Sequence, residues 1–242
     1  MKYLLFICAD DGLPSPEDLA VLQRECPRWV EEMNGRGVRL LGRELDLPET
    51  AVTVRVRNGE TLVSDGPFAD TKEFIAGFDI IECADLDEAL EVAAKHPSSW
   101  FQAIEVRPFR DGLELGEKAQ RFARGEDPDG TPYCLMFCLD GIPAAPDVEQ
   151  AIVRDSRAWG KDMDARGLFV FGHPVEHKNA ATTIRVRDGE TLISDGPFAE
   201  THEFIGGVTV LDGVDREQAI ELAAAHPLAA HHMVEVRPFY SE

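Results

Sequence analysis

The chain has 242 residues and carries 45 acidic against 24 basic side chains, a formal charge of -21. Such acidity repels the phosphate backbones that proteins hold with clustered Lys and Arg, so no nucleic-acid partner is expected. An apolar fraction of 44% and a charged fraction of 29% are those of a globular chain rather than a disordered one. No apolar run approaches the roughly 20 residues of a membrane span. The opening MKYLLFICADDG turns acidic too soon for a signal peptide. No membrane association is expected, and the cytoplasm is the expected compartment. Five cysteines, an odd number without framework spacing, read as reduced thiols; Cys134 and Cys138 share one face of a strand as small apolar residues.

The first predicted element is a buried strand over Tyr3 to Cys8, ended by Ala9-Asp10-Asp11-Gly12. Ser15-Pro16-Glu17-Asp18 supplies a helix start: Ser at the cap, Pro in the first turn, acids at the positive end of the dipole. Leu19, Leu22, Cys26, Trp29, Val30 and Met33 recur near helical spacing, so the helix runs to about Arg36, with Pro27 expected to kink or split it. Gly37 suits the positive φ of a helix C-terminus. Val38 to Leu41 reads as a second strand. Val52, Val54 and Val56 then alternate with Thr53, Arg55 and Arg57 up to Asn58-Gly59, a strong signal for a two-residue hairpin. Phe78 to Ile81 is a further strand, Asp85 opens a helix that Pro97 ends, and Ile104 to Phe109 is the last strand.

The whole pattern then returns at an offset of 130 residues without a gap. SDGPFADTKEFIAG at Ser64 becomes SDGPFAETHEFIGG at Ser194, and EVRPF at Glu105 recurs at Glu235. Each copy is domain-sized, with copy 1 over 1–110, a linker over 111–130 and copy 2 over 131–242. The linker has room for one helical turn around Lys118 to Phe122. The order β-α-β, hairpin, β-α-β gives an α+β, ferredoxin-like antiparallel sheet with both helices on one face. The bare face needs a cover, and the second copy supplies an equivalent one. The expectation is two tandem domains packed sheet to sheet as an intramolecular pseudo-dimer.

Asp65-Gly66-Pro67-Phe68-Ala69-Asp70-Thr71-Lys72-Glu73 and its counterpart Asp195 to Glu203 resemble the signature of the DGPF family, a branch of the YCII-related proteins. The flanking VRVRNGETLVS, the AxxHP at the second helix end and the closing EVRPF add to the likeness, which covers both copies and leaves out the linker. The resemblance implies a ferredoxin-like fold of the dimeric α+β barrel type in a bacterial cytoplasmic protein, without a settled activity. Wider relatives carry a His and Asp pair for acid-base chemistry. The His belongs in the first helix, where this chain has Trp29 and Trp159, so that pair does not carry over.

Asp-Gly-Pro makes tight turns by itself, since Asp caps nearby amides and Pro fixes φ. Its neighbours add a chemical reading. Asp65 and Asp195, with Lys72 and His202, are the candidate proton-transfer groups. Arg55, Arg185, Glu73, Glu203, Thr71 and Thr201 are the candidate ligand contacts, in a pocket that forms if the hairpin folds over the sheet face. Arg55, Arg57, Glu105 and Arg107 otherwise read as rim ion pairs. His96 and His226 read as imidazoles at the negative end of a helix dipole. No cofactor is expected, and the histidines of the second copy show no closed metal spacing. Three functions stay open: a small-molecule-binding or sensory module, a lyase or isomerase, and a structural or interaction protein. The chain reads as a monomer with an internal pseudo-dimer or as a homodimer.

Overall fold

A computed structural model of the chain describes residues 1–9, 14–68, 73–110, 112–126, 131–142, 144–199 and 202–241. The first repeat runs β1 (Lys2–Ala9), α1 (Pro16–Gly35), β2 (Arg39–Glu44), β3 (Val52–Arg57), β4 (Glu60–Asp65), β5 (Phe74–Glu82), α2 (Leu86–Lys95) and β6 (Ala103–Pro108). After α3 (Glu117–Ala123), the second repeat gives β7 (Tyr133–Leu139), α4 (Pro146–Ala165), β8 (Phe169–Pro174), β9 (Thr182–Arg187), β10 (Glu190–Asp195), β11 (Phe204–Leu211), α5 (Arg216–Ala225) and β12 (Met233–Pro238).

Local chemistry sets the boundaries. Ser15 Oγ accepts from the Asp18 amide at 3.2 Å and the Asp18 carboxylate accepts from the Ser15 amide at 3.1 Å, a reciprocal capping box. Asp85 caps α2 through the Glu88 amide at 3.0 Å. Gly37 and Gly167 take the left-handed conformation that closes α1 and α4. Asn58-Gly59 and Asp188-Gly189 both have positive φ, as the two-residue hairpin turns require. Pro27 does not split α1, which is assigned as one helix across it. A proline removes one amide donor, and the rest of the ladder carries the helix through.

The chain forms an α+β structure with two six-stranded antiparallel sheets, ordered β10-β9-β6-β1-β5-β2 and β4-β3-β12-β7-β11-β8. Without the hairpins, each sheet has its own repeat's four strands in the order fourth, first, third, second, the ferredoxin-like arrangement. The hairpins are exchanged. Strand β3 of the first repeat pairs with β12 of the second, with Val54 opposite Val234 and Thr53 opposite Glu235. Strand β9 pairs with β6, with Ile184 opposite Ile104 and Thr183 opposite Glu105. The compact units are therefore Met1–Glu44, Thr71–Leu113 and Val175–Glu200 in one, and Leu45–Asp70, Glu114–Pro174 and Thr201–Glu242 in the other. These spatial units differ from the consecutive repeats 1–110 and 131–242. The hairpin does not fold over the sheet face; it lies at the sheet edge, beside the last strand of the other repeat.

The exchange is stabilised from within each unit. Val52 and Val54 lie in the second unit's core with Leu135, Phe137, Met163 and Leu222, and Ile184 lies in the first unit's core with Leu5, Trp29, Met33 and Val92. Burying each such side chain contributes roughly 1.5–3 kcal/mol. The period-two alternation of Val52-Thr53-Val54-Arg55 is thus satisfied by another repeat's helices. Trp29 Nε1 ties α1 to α2 through the Val92 carbonyl at 3.3 Å, and Trp159 does the same through Leu222 at 3.2 Å. In the linker, α3 buries Ala119 and Phe122 in the second unit, with Phe122 edge-on to Phe239 at 5.1 Å.

Arg187 locks the exchanged hairpin. Its guanidinium donates to the carbonyls of Ser99, Trp100, Phe101 and Gln102 at 2.9–3.1 Å, closing the 3-10 turn Pro97–Trp100. Arg57 does the same for Ala229, Ala230, His231 and His232 at 3.0–3.3 Å. A cation at the carbonyl end of a helical turn is favoured by both charge and geometry. Arg187→Ala is expected to lower stability by about 2–3 kcal/mol, read as a lower urea midpoint, with Arg187→Lys recovering only part of the loss.

Candidate functional site

Each Asp-Gly-Pro-Phe turn leaves the outer strand of an exchanged hairpin and is held by three bonds. In the first unit the Gly196 amide donates to the Ala181 carbonyl at 2.9 Å, Thr183 Oγ1 donates to the Gly196 carbonyl at 2.9 Å, and the Phe198 amide donates to Glu105 Oε2 at 2.9 Å. Ala51, Thr53, Gly66, Phe68 and Glu235 repeat the pattern in the second unit, with the Phe68 amide 3.1 Å from Glu235 Oε2. Gly196 and Gly66 have φ of +100° and +94°, where a side chain would be strained. The Asp-Gly-Pro-Phe and Glu-Val-Arg-Pro-Phe motifs, far apart in sequence, are two halves of one clasp.

The acceptor glutamates are buried. Glu105 is 5% exposed and Arg107 2%; Glu235 is 0% and Arg237 1%. The rim reading of these pairs is thereby corrected: Glu105 and Arg107 lie on the face of β6 that carries Phe6 and Leu4 on β1, and all four are buried. Arg107 Nη2 donates to Glu105 Oε1, its Nη1 donates to the Glu176 carbonyl at 3.3 Å, and its guanidinium lies 6.0 Å from the Phe6 ring centroid. A buried ion pair gains little over apolar packing, yet each half becomes costly once the other is removed.

Beside this pair, Arg185 on β9 is half-buried, with its guanidinium 5.2 Å from the centroid of the Phe198 ring. The same cluster surrounds Cys8, whose thiol pKa is pushed well up by burial and then by the Glu105 charge. Cys138 in the second unit is raised likewise by burial, then by Glu235, with Glu203 adding to the effect. Burial also raises the pKa of Cys26 and Cys83 to about 11. All five cysteines are free thiols, and the shifts keep these four protonated at neutral pH.

The sequence-predicted residues part company. Arg185 joins the turn's phenyl ring, and Glu203 lies within electrostatic reach of Cys138. Glu73 is half-buried, while Arg55, Asp195 and His202 are exposed. The Asp65 side chain is 92% exposed and pairs with Arg216 at 3.3 Å. Thr71, Lys72 and Thr201 lie outside the described residues. The turn is thus tied by Thr53 or Thr183 and a distant glutamate. Among the described residues, no cluster of three or more His, Cys, Asp or Glu could hold a metal ion.

The two imidazoles act differently from the helix-dipole reading. His96 Nδ1 accepts from the Ser98 amide at 3.1 Å and His226 Nδ1 from the Leu228 amide at 3.2 Å, so each caps the N-terminus of the 3-10 turn that follows. Each Nδ1 acts as an acceptor, so each ring serves the turn that follows it rather than the carbonyl end of α2 or α5. In the first unit, His96 Nε2 faces Asp79 Oδ2 at 3.5 Å, and Arg39 Nε donates to Asp79 Oδ1 at 2.6 Å. Burial works against the Asp79 charge; the His96 hydrogen bond and the Arg39 charge outweigh it and lower its pKa. With both ring nitrogens committed, His96 is a strut. In the second unit Asp79 becomes Thr209 and Arg39 becomes Phe169. His226 instead packs against Phe137 at 4.2 Å and Trp159 at 4.8 Å, and burial lowers its pKa to about 4.

The YCII-related domain model matches residues 1–111 and again 134–241. The chain belongs to the YCII-related family. Over 97 residues it is 51% identical to an uncharacterised protein of Rhizobium meliloti (strain 1021), covering 38% of this chain and 69% of that one. A crystal structure described as a candidate chlorite dismutase aligns over 99% of this chain and 94% of its own, at 9% identity and a TM-score of 0.43, too distant to bear on chemistry.

Two measurements test this YCII-related site. Glu105→Gln removes the carboxylate charge that balances Arg107 in the interior and is expected to cost about 3–5 kcal/mol, whereas Asp195→Asn stays within about 0.5 kcal/mol; urea unfolding of both variants separates them. The depressed His226 pKa means that the unfolded chain binds a proton between pH 6.5 and 4 that the folded chain refuses. Stability from this group is complete above pH 6.5 and falls as pH drops toward 4, by at most about 3 kcal/mol. His226→Asn keeps an acceptor for Leu228 and removes the titrating group, so its stability-versus-pH curve should be flatter across that window.

Proposed function

We propose that this YCII-related protein is a small-molecule-binding or sensory module that takes an anionic ligand, a carboxylate above all, at Arg185 beside the Asp-Gly-Pro-Phe turn. The observation that carries the reading is the charge balance of that cluster. Glu105 is neutralised by Arg107 and by the Phe198 amide. Arg185 is half-buried against the Phe198 ring and makes no ion pair among the described residues. One positive charge is left over, on a chain whose net charge is -21. A guanidinium with a ring on one side presents its fork to a planar anion, and carboxylates match that fork in two hydrogen bonds.

Binding is favoured over catalysis by the state of the acids and bases. The Glu105 oxygens and both His96 nitrogens are engaged, Asp65 is turned to Arg216, and the Cys8 thiol is held protonated. A proton-transfer enzyme needs an acid or base free to reach substrate, and each of these groups is engaged with a protein partner or held as a thiol.

Calorimetric titration with small aliphatic and aromatic carboxylates, and with inorganic phosphate, tests the proposal. Arg185→Gln is expected to weaken carboxylate binding about 10- to 100-fold, the loss of one charge-assisted contact. Binding that survives Arg185→Gln unchanged, or no heat from any of these anions, would overturn it.

A further inference from the structure

We infer that the outer edge of the exchanged hairpin in the first unit, strand β10, is an interface for a second copy of this chain, joined by antiparallel strand pairing across a twofold axis. This is independent of the anion site, which lies on the neighbouring strand. Strand β10 ends the sheet and pairs with β9 on one side only. All six of its residues are exposed, whereas the strand at the opposite edge, β2, buries Leu41 and Gly42. Leu192 and Ile193 are 50% and 56% exposed, and no Pro or Lys interrupts the strand. Natural edge strands are normally blunted by such residues.

The backbone register states which groups face outward. Arg187 and Glu190 flank a two-residue turn and form the first bonded pair, so Arg185–Leu192 and Thr183–Ser194 are also bonded pairs. The amides and carbonyls of Thr191, Ile193 and Asp195 then point away from β9, spaced to receive an antiparallel strand. A second β10 centred on Ile193 puts isoleucine opposite isoleucine and Thr191 opposite Asp195. Glu190 falls opposite Gly196, clear of another carboxylate. The strand is thus self-complementary, as an isologous twofold contact requires.

The second unit carries a near-identical edge in β4, yet its surroundings differ. There Arg216 reaches the terminal Asp65 at 3.3 Å, a charged pair beside the strand end. The first-unit counterpart of Arg216 is Leu86, itself 36% exposed. The more apolar edge is therefore β10, and the interface is assigned there.

Light scattering after size exclusion, with wild type followed from micromolar to submillimolar concentration, provides the test. The expected result is a mass of two chains, reached at lower concentration as salt rises, because two highly acidic chains repel and salt screens them. Ile193→Lys should give a single-chain mass with an unchanged circular dichroism spectrum, while Val63→Lys on β4 leaves the two-chain mass intact. A single-chain mass for wild type throughout, a two-chain mass for Ile193→Lys, or loss of the dimer in Val63→Lys instead would overturn the inference.

Discussion

Everything specific about this chain depends on one antiparallel contact, made twice: the first strand of an exchanged hairpin along the last strand of the other repeat. Thr183 opposite Glu105, and Thr53 opposite Glu235, fix a register that completes each sheet's edge and delivers valines or an isoleucine to each core. The same register brings a Phe amide onto a buried carboxylate. Without the pairing, Glu105 and Glu235 would lose that donor inside the protein, where an unmatched charge is costly. The clasp and the core therefore stand or fall together.

Duplication makes the contact reciprocal, and divergence has then separated the two copies. The clasp residues are nearly unchanged between repeats, because each must fit the other's strand. Behind the sheet the constraint is looser. A charged Arg39, Asp79 and His96 arrangement in the first unit corresponds to Phe169, Thr209 and His226 in the second. Both versions satisfy the imidazole: a carboxylate and a Ser98 amide in one, aromatic rings and a Leu228 amide in the other. The site neighbours have drifted too, with Arg185 half-buried over a phenyl ring and Arg55 exposed.

Much of the secondary structure was legible because its causes are local. Ser15 and Asp85 cap helices as their positions predict, Asn58-Gly59 and Asp188-Gly189 take the positive φ that hairpin turns need, and alternation marked the valines of β3. The α+β order of strands followed from the sequence of elements. The clasp was less legible. A glutamate between Ile104 and Val106 in one closing strand, and between Val234 and Val236 in the other, was a signal that those positions are enclosed, since a charge flanked by core residues needs a partner. Nothing local named that partner as an amide in the other repeat's turn.

The sequence by itself determined the repeat, the elements, their ferredoxin-like order and the YCII-related motifs, because capping, turn conformation and hydrophobic period act within a few residues. Only the tertiary structure decided which sheet each hairpin joins, that Glu105 and Arg107 lie inside, and that Asp65 faces solvent. A hairpin's alternation fits the edge of its own sheet or of its neighbour's equally well. The choice is made by long-range pairing, where the free edge of the last strand, the Arg187 and Arg57 clamps and the buried glutamates all favour exchange.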